Sequence, residues 1–598
     1  MKWITWILVF CLAFTGCSSS GQSIVTEVTS ETEELDKADS SGMEFYFEEA
    51  DTAASDSENS SALNINSDTS ATTDAGVQTY YITSGGTYTI SDEINDIMVT
   101  VDADNAEVNL ILDGATISNS NGPAIYVRSA DKVTLTLADG STNTLSDGYS
   151  YSITDSDSTL DAAIFSKADL TINGSGTLNL SGNYKHGIVS KDDLIISSGT
   201  LNVTAVNVGL NGKDCVKIGN GNMTISAGSD GIRSDNDEDV SRGYVYLYGG
   251  SIRIDAENDG IQAETIINVE DVDLTVNAGG GSSARLTSSE ESYKGMKAGA
   301  DIYITGGSFN IDSLDDCIHS NGTITIDGGS YILSSGDDGI HADTDLAVSG
   351  ADTLLSILKS YEGLEATNLV ISGGKIDITA SDDGLNAAGG TDSSGMGGRP
   401  GMGNFSSFTG KIQISGGAIQ IHASGDGIDA NGSVSISDGS VTVIGPVNGD
   451  TSILDFDTTG TISGGTFIGL GSSSMAQNFS DSTSQGVIMV KTETQAGGTQ
   501  VTLSDASGKN LIATVAEQPF NCIIMSHSSI TQGSTYTMTV GSSSMTITMS
   551  DIIYSSSGST GGMGGPDNNF GGGFMPNMGG NDPGGNIGGR NGGKGRKP

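Results

Sequence analysis

Residues 306–321 read G-G-S-F-N-I-D-S-L-D-D-C-I-H-S-N, and residues 328–343 read G-G-S-Y-I-L-S-S-G-D-D-G-I-H-A-D. The same phrase returns from Gly373 and from Gly416. The small residue of this Asp-rich corner recurs about every 22 residues, or twice that, at Cys317, Gly339, Gly363, Gly384, Gly427 and Gly449. A repeat this short, in which apolar and polar residues alternate, is typical of a solenoid.

One repeat contains three short alternating stretches, around Ile318, Ile324 and Tyr331. Turns rich in Gly, Asn and Asp separate them, and none is long enough for a helix. Each strand can bury its apolar face only by pairing in parallel with its copy in the next coil. The sequence therefore predicts an all-β fold, a parallel β-helix that is right-handed by the general bias of parallel crossovers. A β-sandwich or a propeller is the alternative, but a propeller blade needs about 40 residues or more.

Composition divides the chain into five segments. We expect a signal peptide at 1–17, an acidic, Ser-rich disordered tether at 18–76 and the β-helix at 77–486. A strand-rich C-terminal cap at 487–554 and a Gly-rich disordered tail at 555–598 follow.

The first segment combines one lysine with an apolar run that is too short to span a bilayer, as in a secretory signal. It ends Phe14-Thr15-Gly16-Cys17, which resembles a bacterial lipobox with Cys17 as the lipidated residue. We therefore expect a lipid-anchored protein on the extracellular face of a bacterial membrane, which meets the membrane only through its acyl chains. Plain secretion is the alternative.

The chain carries 25 Lys and Arg against 74 Asp and Glu, a formal net charge of −49. Such a charge argues against nucleic acid as a partner and favours cations or neutral ligands. Cys215 and Cys317 both follow a Lys-Asp or Asp-Asp pair, so we assign both to the small corner position, too far apart for a disulfide. We expect a monomer.

Coiling would bring the acidic pairs of successive repeats to one corner, about 5 Å apart. Two like charges at that distance repel by roughly 3 kcal/mol at an effective dielectric of about 20. Ca²⁺ would remove this cost, since it accepts carboxylate and carbonyl oxygens with loose geometry. The predicted metal ligands are Asp315, Asp316, Asp337, Asp338, Asp343, Glu362, Glu365, Asp382, Asp383 and Asp426, and Asp429 could add an oxygen. The alternative is a run of Asx turns, in which each aspartate caps its own corner.

A second column follows the corner isoleucines and is expected to face outward. Its first half is basic or neutral although the protein is acidic, which would suit an acidic polysaccharide such as polygalacturonate. The predicted ligand-binding residues there and at the corner are Lys217, Arg233, Lys294, Lys297, His319 and His341. Flat surfaces for sugar stacking are available from Tyr244, Tyr246, Tyr248 and Tyr293. The alternative is that these are ordinary solvated strand faces.

The stretches Leu110-Ile-Leu-Asp-Gly-Ala, Pro123-Ala-Ile-Tyr-Val and 133–147, with the repeated Gly-Gly…Asp-Asp-Gly-Ile phrase, resemble the bacterial carbohydrate-binding β-helix family. That family comprises secreted, calcium-carrying proteins similar in shape to pectate lyases. The resemblance covers about residues 77–550 and implies binding of plant-type polysaccharides, polygalacturonic acid and cellulose included, without established catalysis.

Two other functions stay open at this point. A calcium-dependent polysaccharide lyase needs a base beside the substrate carboxylate, for which Lys217, Lys294 and Lys297 are the candidates. A surface adhesin or scaffold would contact proteins instead. The sequence favours a non-catalytic, calcium-stabilised polysaccharide-binding protein.

Overall fold

The computed structural model describes residues 42–55, 60–63, 65, 72–74, 76–153, 155, 159–285, 288, 291–387, 410–447, 449 and 451–556. The predicted signal peptide with Cys17 lies outside the described residues, as does the predicted tail from residue 557 onward. Among the described residues, no helix is long and apolar enough to cross a membrane.

The described chain is almost entirely β, and successive coils stack strand on strand in parallel, which confirms the predicted β-helix. Each coil contributes one strand to each of three faces. The first face, which begins at the acidic corner, contains Val77–Ile82, Ile97–Asp102, Ile125–Ser129, Ala162–Ser166, His186–Ser190, Leu210–Gly212, Ile232–Ser234, Ile261–Ala263, Met296–Ala298, Ile318–Ser320, Ile340–Val348, Leu364–Ile371, Leu385–Ala387 and Ile428–Ala430.

The second and third faces follow in the same order along each coil. The second face contains Ser61–Ala62, Gly86–Ile90, Glu107–Leu112, Lys132–Leu137, Asp169–Gly174, Asp193–Ile196, Cys215–Ile218, Tyr244–Leu247, Ile267–Val269, Ile302–Ile304, Thr323–Ile326 and Thr459–Ile462. The third face contains Glu93–Asn95, Thr116–Ser118, Thr142–Ser146, Thr177–Gly182, Thr200–Ala205, Asn222–Ala227, Ser251–Ala256, Asp273–Ala278, Ser308–Ser313, Ser330–Ser335, Leu354–Ser360, Lys375–Ala380 and Thr466–Gly471.

Four longer strands turn a corner without a break. Ile340–Val348 and Leu364–Ile371 run from the first face into the second, whereas Lys411–Ala423 and Ser433–Ile444 run from the second into the third. The inward residues of every face form one continuous apolar core, in which Phe309 and Tyr331 of adjacent coils stack with ring centroids 4.6 Å apart. Burial of these side chains is the main stabilising term of the solenoid.

The small residues at the acidic corner lie directly against the backbone of the next coil. A Cβ on Gly363 would stand 2.3 Å from the carbonyl oxygen of Gly384, so the corner leaves no room for a side chain there. This stack runs Gly187, Gly209, Gly231, Gly260, Gly295, Cys317, Gly339, Gly363, Gly384, Gly427 and Ile453.

Two predicted corner assignments are wrong. Cys215 is the first residue of a strand of the second face, where it pairs with Asp193 and Tyr244; the corner residue of that coil is Gly209. Likewise Ile453 takes the position assigned to Gly449, because the coil after Gly427 is a few residues longer. The assignment of Cys215 fails because the turn and strand at residues 213–217 have a sequence similar to the corner phrase.

Part of the predicted tether, residues 42–55, 60–63 and 65, packs on the β-helix. Residues 42–55, which we call the strap, lie on the outside of the second face and include the helix Glu49–Thr52. Asp51 is fully buried and accepts a hydrogen bond from Lys132 Nζ at 2.5 Å. Leu63 and Ile65 join the core of the first coils. Met43, Leu63 and Ile65 of this acidic stretch are therefore buried instead of solvated, whereas Tyr46 stays about half exposed.

The C-terminal end of the solenoid is closed by antiparallel strands. Phe520–His527 pairs with Thr466–Gly471 of the last coil and with Val487–Gln495, which in turn pairs with Ile553–Ser555. A separate antiparallel sheet contains Asn510–Val515, Gln500–Asp505, Thr535–Val540 and Ser543–Thr548. Antiparallel pairing covers the open edge of the third face, which would otherwise invite pairing with another chain.

Candidate cation site on the acidic ladder

In seven coils the residue immediately before the small corner residue is an aspartate or glutamate, and these residues form a ladder of carboxylates along the solenoid; in the coil of Gly295 the same position is Lys294. All of them except Glu362 accept a hydrogen bond from the backbone N–H at the same position of the next coil, for example Asp338 N to Asp316 Oδ1 at 2.9 Å and Asp426 N to Asp383 Oδ1 at 2.5 Å. We call Asp230, Asp259, Asp316, Asp338, Glu362, Asp383 and Asp426 the acidic ladder. The predicted alignment is present, and these hydrogen bonds cap the corner of the following coil.

A flanking column lies three residues further along each coil. Strand register stacks Asn211, Arg233, Gln262, Lys297, His319, His341, Glu365, Asn386 and Asp429. Lys217 does not belong to this column, contrary to the prediction. It pairs with Ile195 and Tyr246 on the second face and is only 2% exposed, because the strap covers it and Glu44 Oε2 lies 3.6 Å from its Nζ.

Basic side chains neutralise the N-terminal half of the ladder. Lys294 Nζ lies 2.5 Å from Asp316 Oδ2 and 3.1 Å from Asp315 Oδ1, and it is buried. Arg233 Nη1 lies 3.3 Å from Asp230 Oδ2. In the coil between them, Lys297 Nζ lies 3.6 Å from Asp259 Oδ2. Of the predicted ligand-binding residues, only Arg233 and Lys297 keep part of the side chain exposed.

Two histidines continue this charge compensation. The sequence predicts that both face solvent, but both are buried. His319 Nδ1 lies 2.9 Å from Asp316 Oδ2, and His341 Nδ1 lies 3.2 Å from Asp338 Oδ2 and 2.8 Å from Glu365 Oε2. The two rings are 5.0 Å apart and buried between acids of adjacent coils.

The charges of this cluster support one another. Burial opposes a charge on His341, but hydrogen bonds to Asp338, Asp343 and Glu365 raise its pKa far above the ordinary value. Burial also opposes ionisation of Asp316, yet the Lys294 ammonium and the His319 hydrogen bond hold its pKa well below the usual range. His341 therefore acts as an internal cation of the ladder.

The C-terminal half of the ladder differs. Ligand oxygens of Asp383, Asp426 and Asp429 lie within 4.8 Å of one another. Within the part of the chain that the structure describes, no Lys, Arg or His forms an ion pair with these three carboxylates. Burial and the neighbouring carboxylates raise the pKa of Asp383 to about 8 and that of Asp429 to about 7.

One further oxygen belongs to this cluster. Asn386 is 5% exposed, and its Nδ2 donates to Glu362 of the preceding coil. Its Oδ1 is buried and has no hydrogen-bond partner among the described residues. Strand register pairs Asn386 with Asp429 of the next coil, so this oxygen belongs to a side chain next to the carboxylate cluster. The sequence places Asn386 in the flanking column but not among the predicted metal ligands, although its spacing from Asp383 equals that of His319 from Asp316.

The remaining predicted metal ligands lie in other surroundings. Asp315, Asp316 and Asp337 also approach one another within 4.8 Å, but Lys294 supplies a positive charge there. Asp343 and Glu365 contact His341, and Asp382 directly precedes Asp383. A group not predicted from the sequence, Asp169, Asp192 and Asp193, lies on and beside the second face.

The set of Asp383, Asp426, Asp429 and Asn386 fits a hard cation. All four donors are oxygens, three of them carboxylates, and carboxylate and carbonyl oxygens are the ligands that Ca²⁺ prefers. An ion here would neutralise carboxylates that are costly to ionise together. The absence of nitrogen and sulfur donors from this set disfavours Zn²⁺ or Cu²⁺.

Comparison with known proteins points to carbohydrate. A family model described as carbohydrate-binding domain-containing protein matches residues 76–339 and again 339–515. A protein of that description from Acetivibrio thermocellus is 38% identical over 126 residues, which is 21% of this chain and 44% of the relative, so the chain spans less than half of that relative. A solved polysaccharide lyase-like protein from C. thermocellum, studied as a gadolinium derivative, is 32% identical with a TM-score of 0.32, covering 42% of this chain and 90% of that one.

The two matched stretches extend across all three faces of the β-helix, from its first coils into the C-terminal strands. They include the acidic ladder and the flanking column. The two matched stretches together cover well over half of the residues of the chain. The chain therefore belongs to the family of carbohydrate-binding domain-containing proteins.

Proposed function

We propose that this protein is a calcium-stabilised, non-catalytic polysaccharide-binding protein of the bacterial cell surface, anchored through lipidated Cys17. The observation that supports calcium most directly is the group of Asp383, Asp426 and Asp429, three partly buried carboxylates with no basic partner among the described residues. The buried Oδ1 of Asn386 adds a fourth oxygen.

The same site supports an acidic ligand. Each of the three carboxylates is partly accessible to solvent, and Ca²⁺ takes about 6–8 oxygen ligands. An ion held here keeps positions for oxygens from outside the protein, such as the carboxylate of a uronate. Arg233 and Lys297, partly exposed further along the flanking column, would contact other acidic groups of the same chain. We therefore favour an acidic plant-type polysaccharide such as polygalacturonate.

The candidate bases of a lyase are poorly placed for catalysis. Lys217 is covered by the strap, Lys294 is buried between Asp315 and Asp316, and Lys297 approaches Asp259. A lyase base must reach a proton of the substrate within hydrogen-bond distance. These contacts support the non-catalytic form of the proposal.

A pull-down on insoluble pectin tests the proposal. We expect the full chain to bind in the presence of Ca²⁺, and binding to fall at least about tenfold in excess chelator, because the cation links protein and uronate carboxylates. Binding that ignores chelator would contradict the calcium-dependent mode. Accumulation of unsaturated uronate products, followed by ultraviolet absorbance, would show that the protein is a lyase.

A further inference from the structure

The strap lies over a row of tyrosines on the second face. Phe45 approaches Tyr244 and Tyr246 with ring centroids 5.4 and 5.7 Å apart, and Phe47 lies 5.8 Å from Tyr246. Glu44 N donates to the hydroxyl of Tyr244 at 3.2 Å. Rings from two distant parts of the sequence thus build one aromatic surface.

The helix of the strap holds this surface in place through its one buried residue, Asp51. Ser197 Oγ donates to the carbonyl oxygen of Asp51 at 2.6 Å, and the Asp51 carboxylate is paired with Lys132. A Cβ on Gly219 would stand 3.3 Å from the Phe47 ring, so this glycine lets the ring settle against the coil. The strap is therefore a fixed wall, anchored at several points on the second face.

Beside the wall lies a groove of about 390 Å³. Phe47, Tyr246 and Tyr248 are among its lining residues; Tyr246 is almost fully buried, whereas Tyr248, 6.1 Å from Phe47, is 45% exposed. Asn220 and Glu270 supply polar groups at the edge. A groove of this size with aromatic rings and a few polar groups matches the general pattern of small-ligand sites.

The charges around the groove select among sugars. Lys217, whose Nζ lies 5.9 Å from the ring centroid of Tyr46 in the groove wall, is buried and lies 3.6 Å from Glu44 Oε2, which offsets its charge. Glu270 accepts a hydrogen bond from Tyr246 at 2.7 Å and brings a negative charge to the edge. The Glu270 carboxylate would repel a uronate. A neutral sugar ring can stack its C–H face on Tyr248 and donate hydroxyl hydrogens to Glu270.

We propose that the groove between the strap and Tyr248 is a binding site for a neutral hexopyranose unit of a glucan chain, independent of calcium. It deepens the carbohydrate-binding part of the proposed function by adding a second site remote from the acidic ladder. Tyr248 and Phe47 provide stacking surfaces, and Glu270 and Asn220 orient the hydroxyl groups.

Calorimetric titration of the full chain with cellohexaose in excess chelator tests this site. We expect saturable binding that weakens about fivefold or more in Tyr248→Ala, since a single aromatic stacking contact is lost. Tyr303→Ala is the matched control, because Tyr303 is also an outward tyrosine of the second face but lies outside the groove. It should bind like the parent protein.

Equal affinities of Tyr248→Ala and Tyr303→Ala would overturn the proposal. Tighter binding in Phe47→Ala would also overturn it, because the strap would then cover a sugar site instead of building one. Chelator separates this site from the calcium site. Loss of pectin binding with retention of cellohexaose binding supports two sites, whereas absence of cellohexaose binding removes the groove and leaves the calcium proposal intact.

Discussion

Replacement of His341 by leucine is expected to lower the free energy of unfolding by about 3–5 kcal/mol, the usual cost of breaking a buried ion pair. The variant would leave Asp338 and Glu365 without the imidazolium that now lies 3.2 and 2.8 Å from their oxygens. Denaturant unfolding of both proteins measures the difference. His422→Leu is the matched control, because His422 is partly exposed and its nearest carboxylate, on Glu517, is 3.9 Å away.

The pH dependence of this loss has a defined sign. The pKa of His341 is raised in the folded protein, so its stabilisation is fully present below the unfolded pKa of about 6.5 and declines as pH rises above it. The destabilisation by His341→Leu should therefore be larger at pH 6 than at pH 9. Equal stabilities of His341→Leu and His422→Leu at both pH values would show that His341 is not a cation of the ladder.

Calcium should reverse the response of the protein to pH. In chelator, the folded protein retains protons on Asp383 and Asp429 up to about pH 8 and 7, whereas the unfolded chain releases them near pH 3.8. Stability of the calcium-free protein should then fall as pH rises from 5 to 8. A difference of one between the pKa of the folded and the unfolded state corresponds to about 1.4 kcal/mol, so the fall in stability is large enough to measure.

Ca²⁺ competes with those protons, so its stabilising effect should grow over the same pH interval. At a hundredfold excess over its dissociation constant it should add about 2.7 kcal/mol at pH 8. Thermal unfolding at pH 5 and pH 8, with calcium and with chelator, provides the measurement. If chelator leaves the unfolding temperature unchanged at pH 8, the ladder carries no stabilising ion.

The repeat made the fold predictable because strand alternation and the corner glycine are local features. Ile324 and Ile326 point inward, as do the apolar residues that pair with them in the coils on either side. Gly339 and Gly363 stack as their spacing indicates. Lys217 was misplaced because Lys-Asp-Cys-Val-Lys imitates the corner phrase at a turn and a strand. The true corner of this coil is recognised only from the contact between Gly209 and Gly231 of the next coil, whereas Cys215 pairs with Tyr244 on the second face.

The parts of the site that could not be predicted depend on contacts between distant residues. The sequence predicts a tether here because acidic and small polar residues surround the aromatic residues of the strap. No local pattern indicates that Phe45 and Phe47 contact Tyr246. Burial of His319 follows from Lys294 and Asp316 in neighbouring coils, not from its own strand. The spacing predicts that the acids align along one corner. Which of them lack a basic partner depends on side chains of neighbouring coils, which the spacing does not reveal.

Calcium titration of the full chain at pH 8, followed by calorimetry, tests the central claim most directly. We expect a saturable calcium site whose affinity falls at least about tenfold in Asp429→Asn and in Asn386→Leu, since even indirect ligand partners contribute that much. Asp377→Asn, an exposed aspartate of the third face, should leave it unchanged. Equal calcium affinity in the parent protein, Asp429→Asn and Asn386→Leu would contradict a cation held on the acidic ladder at this corner.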